Sequence, residues 1–397
     1  MKKKFIDLFS GAGGMSCGLE MAGLQCLLGI DHDFDAIETF KYNHKNAQAI
    51  CGDISGISID RIQELVNYQK VDLICGGPPC QGFSTIGQGD DSDERNFLFL
   101  EFLRIVKALE PNYIIMENVT GLLAKKNENV VKAILRSFND LGYTIDVKVL
   151  SAHHYGVPEK RRRTIFLGNR FGVENIYPEK MFEESGKSNL NLPLPKTVKS
   201  VFDSLSTIEG EILNHELAKA KISNDLERER ITHIPQGKSV RYERDQTAYL
   251  PRELWFDVNW KDIREQRFRE AKLNRLDLYI CSGTINTSKT TYYHPTENRY
   301  LTAREAAAIQ SFPNDFLFCG AVAKQWKQIG NAVPPLLAKA LGESILKLDS
   351  IKNNLQKSAS TEDVEKVRAG AFSYKENNKG ASVTAELLSQ ETQLALF

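Results

Sequence analysis

Short apolar runs alternate with helically spaced segments along the first third of the chain. The runs predict strands, and the spaced segments predict helices between them. The predicted strands cover residues 5–9, 24–30, 71–75, 113–116, 144–150 and 164–168, and the predicted helices cover 15–22, 33–44, 95–109 and 130–141. Because strands alternating with helices are typical of a mostly parallel sheet covered on both faces, the sequence predicts an α/β fold.

The pattern changes near residue 170. From there to residue 298, apolar runs are scarce and charges mix with aromatic residues, which predicts a second, smaller domain of irregular structure. Helical spacing returns at 302–310 and 334–348. From 350 onward the chain is rich in Lys, Asn, Ser and Glu, a composition typical of a flexible tail. We therefore predict a domain at 1–170 completed by 299–349, a second domain at 171–298 and a tail at 350–397.

Composition narrows the class of protein. With 397 residues, 42% hydrophobic and 26% charged, the chain is large enough for two domains, and its net charge of zero requires any nucleic-acid contact to come from a local basic face. The seven cysteines form no CxxC pair, which fits a reducing compartment with neither disulfides nor a metal site. Asp7 interrupts the apolar run after Lys2–Lys4, and no stretch approaches the about 18 apolar residues of a membrane span. We expect a cytoplasmic protein.

Cys80 lies in a stiff turn directly after the predicted strand at 71–75. Pro78 and Pro79 fix the backbone before it, and the glycines on either side allow a ligand to approach closely. The carboxyl ends of strands are where open α/β sheets place their chemistry. A lone cysteine in a tight turn is usually structural, but this one has chemically suitable neighbours.

Acidic residues and a glycine turn follow the first strands. The turn Gly11–Gly14 separates a strand from a helix, and Asp31 and Asp53 fall at the ends of the second and third strands. Each aspartate alone is more often a helix cap or turn residue. Together with the glycine turn they suit a nucleoside, because carboxylates accept hydrogen bonds from ribose hydroxyls.

Glu117 directly follows the apolar strand at 113–116. A carboxylate in this position is more often a helix cap than a catalytic group. If Cys80 attacks an electron-poor ring, however, a nearby acid is needed to protonate the ring as charge develops.

A set of sequence blocks occurs in a characteristic order. They are Phe9-Ser10-Gly11-Ala12-Gly13-Gly14, Pro78-Pro79-Cys80-Gln81-Gly82-Phe83-Ser84, Glu117-Asn118-Val119, Tyr155-Gly156-Val157-Pro158, Arg161-Arg162-Arg163, Leu301-Thr302-Ala303-Arg304-Glu305, Gln310-Ser311-Phe312-Pro313 and Gly330-Asn331-Ala332-Val333-Pro334-Pro335. This ordered set resembles the DNA cytosine-5 methyltransferase family of bacterial and phage restriction-modification systems, over roughly 1–170 and 299–345.

The resemblance implies a Rossmann-like sheet that binds S-adenosylmethionine and a cytosine rotated out of duplex DNA. It assigns the cofactor to Phe9, Gly11, Asp31, Asp53, Ile54, Pro79 and Asn331. Cys80 would attack carbon 6 of the ring, and Glu117 would protonate or stabilise ring nitrogen 3. No metal is implied.

Two arginines complete the implied site. Arg163 would contact the carbonyl oxygen of the rotated base, and Arg161 would support the site. Glu159 departs from the family's Gln-x-Arg-x-Arg pattern, in which glutamine is usual, so no role is assigned to it. Residues 171–298 occupy the place of the family's target-recognition domain, although single base-reading residues cannot be named.

Alternative functions remain at this point. A transfer-RNA cytosine methyltransferase shares the catalytic blocks, but the long region 171–298 favours duplex DNA. An inactive DNA-binding relative would be expected to lack Cys80 or Glu117, and both are present. A nicotinamide-dependent oxidoreductase explains the glycine turn alone. We expect a monomer, because one chain supplies every block.

The chain ends in Gln393-Leu394-Ala395-Leu396-Phe397. This segment resembles the short peptide with which bacterial proteins bind the replication sliding clamp. Gln393, Leu394, Leu396 and Phe397 on a flexible tether would fill an apolar cleft. The alternative is an amphipathic turn that packs back on the protein.

Overall fold

The structure, a computed structural model, describes residues 2–79, 97–184, 192–358 and 364–373. Within these ranges the chain forms two compact units. Unit 1 takes the residues up to Gly156, Arg161–Leu194 and those from Ala332 onward, and unit 2 takes Val157–Lys160 and Pro195–Asn331. Unit 2 is therefore inserted into the chain of unit 1.

A seven-stranded sheet forms the centre of unit 1. Its strands are β1 (Lys4–Leu8), β2 (Gln25–Asp31), β3 (Gln48–Cys51), β4 (Leu73–Gly76), β5 (Tyr113–Asn118), β6 (Thr144–Ser151) and β7 (Arg162–Asn169). They are arranged in the order β3-β2-β1-β4-β5-β7-β6. Strands β1 to β5 pair in parallel, whereas β7 runs antiparallel to both β5 and β6. The predicted α/β fold with a mostly parallel sheet is confirmed.

Helices alternate with these strands. They are α1 (Gly14–Met21), α2 (Phe34–Asn43), α3 (Ile59–Leu65), α4 (Phe97–Leu109) and α5 (Glu128–Asp140). Four of them lie where the sequence predicts helices, whereas α3 is an additional helix that the apolar pattern does not predict. Strand β4 is buried along its whole length, as expected when helices cover a parallel sheet. Side chains of β1, β4, β5, α4 and α5 share one hydrophobic core.

The chain returns to unit 1 with two more helices, α11 (Pro335–Ile351) and α12 (Val364–Ser373), numbered after those of unit 2. Helix α11 packs tightly on α1: a Cβ atom at Gly18 would lie 2.1 Å from the carbonyl oxygen of Pro335. Helix α12 forms within the segment that the composition predicts to be a flexible tail. No helix in the described ranges is long and apolar enough to cross a membrane.

Unit 2 contains short, irregular elements around its own core. They are α6 (Val198–Phe202), α7 (Asp225–Thr232), β8 (Val240–Tyr242), α8 (Glu243–Tyr249), β9 (Arg267–Lys272), α9 (Ala303–Ile309) and α10 (Val322–Asn331). Strands β8 and β9 pair antiparallel, and Ile231, Val240 and Tyr293 are buried together.

Helices α9 and α10 belong to unit 2, whereas the sequence analysis assigns 299–349 to the first domain. Buried polar contacts explain this difference. The Arg304 guanidinium donates to the carbonyl oxygen of Leu213 at 2.9 Å, and Asn214 donates to the carbonyl oxygen of Phe318 at 2.9 Å. A buried arginine is held by the carbonyls that it satisfies, so α9 packs with the segment near 213.

Candidate active site

The loops after β1 and β4 lie side by side at one edge of the sheet. Strands β1 and β4 are parallel neighbours, and the chain proceeds from β1 to β2 on one side and from β4 to β5 on the other. The strand order therefore reverses between β1 and β4. Open α/β sheets bind ligands at such a reversal, outside the carboxyl ends of the strands.

Three predicted cofactor residues meet at this edge. The backbone N–H of Gly11 donates to Asp31 Oδ2 at 2.8 Å, and the N–H of Asp33 donates to Asp31 Oδ1 at 2.9 Å. Phe9 and Gly11 have left-handed φ angles of 60° and 53°. This backbone conformation is uncommon for a residue other than glycine, such as Phe9. The carboxylate of Asp31 thus fixes the shape of the glycine loop.

Asp53 lies beside Asp31 at the same edge. Asp31 is paired with Cys51 in the sheet, and Asp53 follows Cys51 by one turn residue. Its exposed carboxylate accepts the N–H of Ser55 at 3.0 Å, which holds the pKa of Asp53 below its usual value. Ile54, in contrast, is buried in the core of unit 1, and its carbonyl oxygen accepts from Arg104.

Ser10 is a candidate site residue to which the sequence analysis assigns no role. It lies between Phe9 and Gly11, and its Oγ is buried with no hydrogen-bond partner among the described residues. A buried hydroxyl without a partner is uncommon in a folded protein. Next to it, a Cβ atom at Gly11 would meet nothing within 4 Å. The glycine loop therefore has an unsatisfied polar atom and open space, and both fit a bound nucleoside cofactor. Its neighbours in the sequence were the only signal for Ser10.

The turn that carries the predicted nucleophile is anchored from β5. Asn118 Nδ2 donates to the carbonyl oxygen of Pro78 at 2.9 Å, and Pro79 follows with an exposed side chain. Cys80 itself lies outside the described residues, as do the clamp-motif residues Gln393, Leu394, Leu396 and Phe397. Asn331 is the exposed last residue of α10, in unit 2. Its cofactor contact stays a prediction.

Glu117 and Arg163 form an ion pair at the end of β5. The Arg163 Nε lies 2.6 Å from Glu117 Oε1. Because β7 runs antiparallel to β5, with Asn118 opposite Thr164, the first residues of β7 lie at the carboxyl end of β5. Burial raises the pKa of Glu117, while the positive charges of Arg163 and Arg161 oppose that rise. A carboxyl in this environment can hold a proton at higher pH than an exposed glutamate can.

Backbone fits closely around this carboxyl. A Cβ atom at Gly77 would lie 3.0 Å from Glu117 Oε2, so a glycine leaves the space that the carboxylate uses. Arg161 is fully buried, and its carbonyl oxygen accepts the N–H of Ala152 at 2.8 Å. Its positive charge opposes the rise in the pKa of Glu117.

Glu159 has a structural role within unit 2. Its side chain is fully buried, and Oε1 accepts the N–H of Ile285 at 2.6 Å. The surrounding backbone pairs with the same segment: Ser282 donates to the carbonyl oxygen of Pro158 at 2.8 Å, and Lys160 donates to that of Ser282 at 2.9 Å. The carboxylate that replaces the usual glutamine thus holds residues 282–285 against 157–160.

These features define a class of protein. The point at which the strand order reverses has a glycine loop with carboxylates suited to a nucleoside, next to a half-buried acid paired with an arginine. An acid of raised pKa close to the segment that leads to Cys80 in the sequence suits nucleophilic addition to a heteroaromatic ring. These are features of an α/β enzyme that uses a nucleoside-containing cofactor.

Comparison with known proteins identifies the family. Residues 3–347 match the model of the C-5 cytosine-specific DNA methylase family. The Type II methyltransferase M1.HphI of Haemophilus parahaemolyticus is 36% identical over 357 residues, covering 88% of each chain. The Type II methyltransferase M.DdeI of Desulfomicrobium norvegicum is 33% identical, covering 86% of this chain and 88% of the relative. The chain belongs to the C-5 cytosine-specific DNA methylase family, and it is a DNA cytosine-5 methyltransferase.

Solved structures share the fold. An E. coli prophage protein superposes with a TM-score of 0.65 at 24% identity, covering 88% of this chain and all of that one. The DNMT2 protein of Spodoptera frugiperda superposes with a TM-score of 0.59 at 18% identity, covering 87% of this chain and 100% of that one.

Proposed function

We propose that this protein transfers a methyl group to carbon 5 of a cytosine within one short duplex DNA sequence, as the modification enzyme of a Type II restriction-modification system. The observation that carries the proposal is the half-buried Glu117–Arg163 pair, which lies close to Gly77 in the segment that leads to Cys80 in the sequence. The names of the similar Type II methyltransferases support the biological setting. This setting places the enzyme in the cytoplasm, on chromosomal DNA.

S-adenosylmethionine fits the glycine loop and would be held by Phe9, Ser10, Gly11, Asp31 and Asp53. When bound, it supplies the electrophilic methyl group that carbon 5 of cytosine accepts. Asp31 orients the loop through Gly11, and Asp53 offers exposed acceptor oxygens. Ile54 would contribute through packing, and Pro79 and Asn331 are further proposed contacts.

The protein's own residues make carbon 5 reactive. The thiolate of Cys80 adds to carbon 6 of the rotated base, and the electron pair of the 5,6 double bond moves toward ring nitrogen 3. Glu117, whose pKa burial raises, delivers a proton to that nitrogen or holds it there. Carbon 5 becomes an enamine carbon. After methylation, loss of the carbon-5 proton restores the double bond and expels Cys80.

Arg163 has two roles in this scheme. Its guanidinium holds Glu117 in place through Nε, and its remaining N–H groups can donate to the carbonyl oxygen of the base. Arg161 adds positive charge behind the pair. Together they keep the acid from retaining its proton too tightly, because a positive charge lowers a carboxyl pKa.

Unit 2 would read the DNA sequence. It has its own core and carries arginine and aromatic side chains suited to groove and phosphate contacts. A single chain supplies all the proposed site residues, so we propose that the enzyme acts as a monomer.

Tritiated methyl transfer to mixed duplex DNA, followed by bisulfite sequencing, tests the proposal. We expect label on carbon 5 of cytosine within one short sequence. Transfer to transfer RNA but not to duplex DNA would contradict it. For Cys80, duplexes containing 5-fluorocytosine give a direct test. Fluorine replaces the hydrogen that carbon 5 must lose as a proton before Cys80 is expelled. A covalent adduct should therefore persist with the native enzyme and be absent with Cys80→Ser.

We also propose that the C-terminal segment binds a sliding clamp. The support is the sequence of Gln393, Leu394, Leu396 and Phe397 at the end of a polar segment. Titration of full-length protein and of its Leu396→Ala/Phe397→Ala variant against a bacterial clamp tests this. Saturable binding by the native protein alone is expected, and equal binding by both would contradict it.

A further inference from the structure

Helix α12 lies outside the part of the chain that the family shares. The family match ends at residue 347, and the solved E. coli relative is covered completely by 88% of this chain. Helix α12, at Val364–Ser373, therefore follows the residues that match the family model. Its polar composition predicts a solvated tail, yet the helix is packed.

The buried side of α12 joins the main core of unit 1. Ala371 is fully buried in the same hydrophobic cluster as Leu122 and Leu123, and Val367 packs against that cluster. The helix also contacts β6 and α5. Residues Glu365 and Ala369, on other sides of the helix, are exposed. Helix α12 thus has a definite docked face although its sequence is mostly polar.

Arg368 connects this helix to the loop that follows Glu117. Its side chain is buried; Nε donates to the carbonyl oxygen of Leu123 at 2.9 Å, and Nη1 lies 3.5 Å from Glu128 Oε2. Leu123 ends a single 3₁₀ turn, Thr120–Leu123, that begins after Val119. A charged donor on a buried carbonyl is a strong hydrogen bond, so the turn is held from behind by α12.

The chain before α12 is also fixed. Ser358 donates its N–H to the carbonyl oxygen of Gly172 at 2.8 Å, and Thr144 Oγ1 donates to the carbonyl oxygen of Ser358 at 3.4 Å. The backbone of Lys357 forms an isolated antiparallel β-bridge with that of Val173. Because these contacts lie beside β6 and β7, they keep the start of α12 close to its docking site.

We propose that α12 is an accessory element that positions the active-site segment 117–123, with Arg368 as its positioning residue. Only one turn of 3₁₀ helix separates Val119 from Leu123, so displacement of Leu123 is transmitted to the exposed Val119 and the adjacent Glu117–Arg163 pair. The role of this segment in methyl transfer rests on the proposed function. Holding a catalytic acid in place affects the chemical step more than ground-state binding.

Paired variants of the full chain test the proposal. Ala371→Leu inserts a large side chain under the docked face, and Ala369→Leu makes the same change on an exposed position of the same helix. Arg368→Ala removes the donor, whereas Arg368→Lys keeps a cation that can reach the carbonyl of Leu123. The measurements are kcat, KM for duplex DNA, cofactor affinity, and hydrogen exchange of the amides at 119–123.

We expect Ala371→Leu and Arg368→Ala to lower kcat by roughly tenfold while KM and cofactor affinity change less than about twofold. Exchange at 119–123 should rise in both, Ala369→Leu should match the native enzyme, and Arg368→Lys should recover much of kcat. Unchanged kcat in the first two variants, or an equal loss in Ala369→Leu, would overturn the proposal. So would a parallel loss of cofactor affinity, which indicates general destabilisation.

The exchange measurement separates this inference from the proposed function. If the native enzyme fails to methylate DNA, the proposed function fails, but exchange at 119–123 still shows whether Arg368 holds the segment. Unchanged exchange at 119–123 in Arg368→Ala would reject the positioning role, whatever substrate the enzyme methylates.

Discussion

The carboxyl of Glu117 and the guanidinium of Arg163 are in contact, with 2.6 Å between Oε1 and Nε. The two residues come from separate sequence blocks, and the antiparallel pairing of β5 with β7 brings them to the same edge of the sheet. The acid is therefore held by the same side chain that is proposed to contact the base. This shared contact makes the chemistry of the site sensitive to either residue.

Glu117→Gln should slow the chemical step by about a hundredfold or more, the usual scale of general acid assistance. The amide oxygen can still accept from Arg163, so DNA affinity should change little. Single-turnover methyl transfer measures the step. Glu174→Gln, at an exposed position of the same unit, serves as the control. A native rate in Glu117→Gln would assign Glu117 a structural role.

Arg163→Met should shift the pH profile of kcat as well as lower it. Arg163 lowers the pKa of Glu117, so its loss lets the pKa of Glu117 rise further. The acid then stays protonated to higher pH, so the fall of kcat on the alkaline side of the profile should shift to higher pH. Arg162→Met, at the neighbouring position, is the matched control. An alkaline limb at the native position would show that Glu117 does not control it.

Gly77→Ala should lower kcat by roughly tenfold, because its Cβ would stand 3.0 Å from Glu117 Oε2 and force the carboxyl to move. Gly370→Ala, at an exposed position, is the control, since a Cβ there would meet nothing within 4 Å. Steady-state kinetics of the two variants, side by side, provides the measurement. Equal activities would mean that the site tolerates a displaced carboxyl.

Glu159→Leu should destabilise the protein by about 1–3 kcal/mol, because the buried N–H of Ile285 loses its acceptor. Glu159→Gln keeps an acceptor oxygen and should cost less than about 1 kcal/mol. Denaturant unfolding, monitored through the fluorescence of Trp255, Trp260 and Trp326, which all lie in unit 2, compares the two. A glutamine variant as unstable as the leucine variant would show that the negative charge itself is required.

Asp7 should make the protein less stable as pH rises through 6. Burial raises the pKa of Asp7 to about 6, although Ser16 Oγ donates to its carboxylate at 2.6 Å. Between about 4 and 6 the folded state therefore binds more protons than the unfolded state, and stability falls as pH increases across that window. The full loss is roughly 3 kcal/mol.

Thermal unfolding of Asp7→Asn against native protein from pH 4 to 8 tests this contribution. The native protein should lose stability relative to Asp7→Asn as pH rises, whereas Asp60→Asn, an exposed change, should run parallel to native. A difference between Asp7→Asn and native that does not vary with pH would refute the buried titration.

Most strands and helices of unit 1 could be predicted from the sequence because they carry their own apolar periodicity; the short helix α3 could not. The direction of β7 could not, since it depends on pairing with β5 and β6 rather than on any local pattern. Motif order pointed to Glu117 and Arg163 separately. Their contact depends on strand register, which a single sequence does not specify.

Other features depend on tertiary contacts that composition cannot show. Helix α12 docks through Ala371, Val367 and one buried arginine, too few apolar positions to distinguish it from a solvated tail. The buried guanidinium of Arg304 likewise defines which unit α9 joins, although the sequence shows only one more charged residue. The sequence alone does not assign Ser10 to the site, because a serine next to glycines is also common in turns that bind no ligand.

Because unit 2 is formed by two separate pieces of chain, both pieces matter when unit 2 is exchanged between related enzymes to change their DNA specificity. The four residues Val157–Lys160 belong to unit 2 although the chain on either side of them belongs to unit 1, and the Glu159 carboxylate accepts a hydrogen bond from the N–H of Ile285. A chimaera that imports only 195–331 would pair a foreign 282–285 segment with a native Glu159. Residues 157–160 and 195–331 therefore need to be exchanged together. A graft that moves both pieces preserves the hydrogen bonds between 157–160 and 282–285.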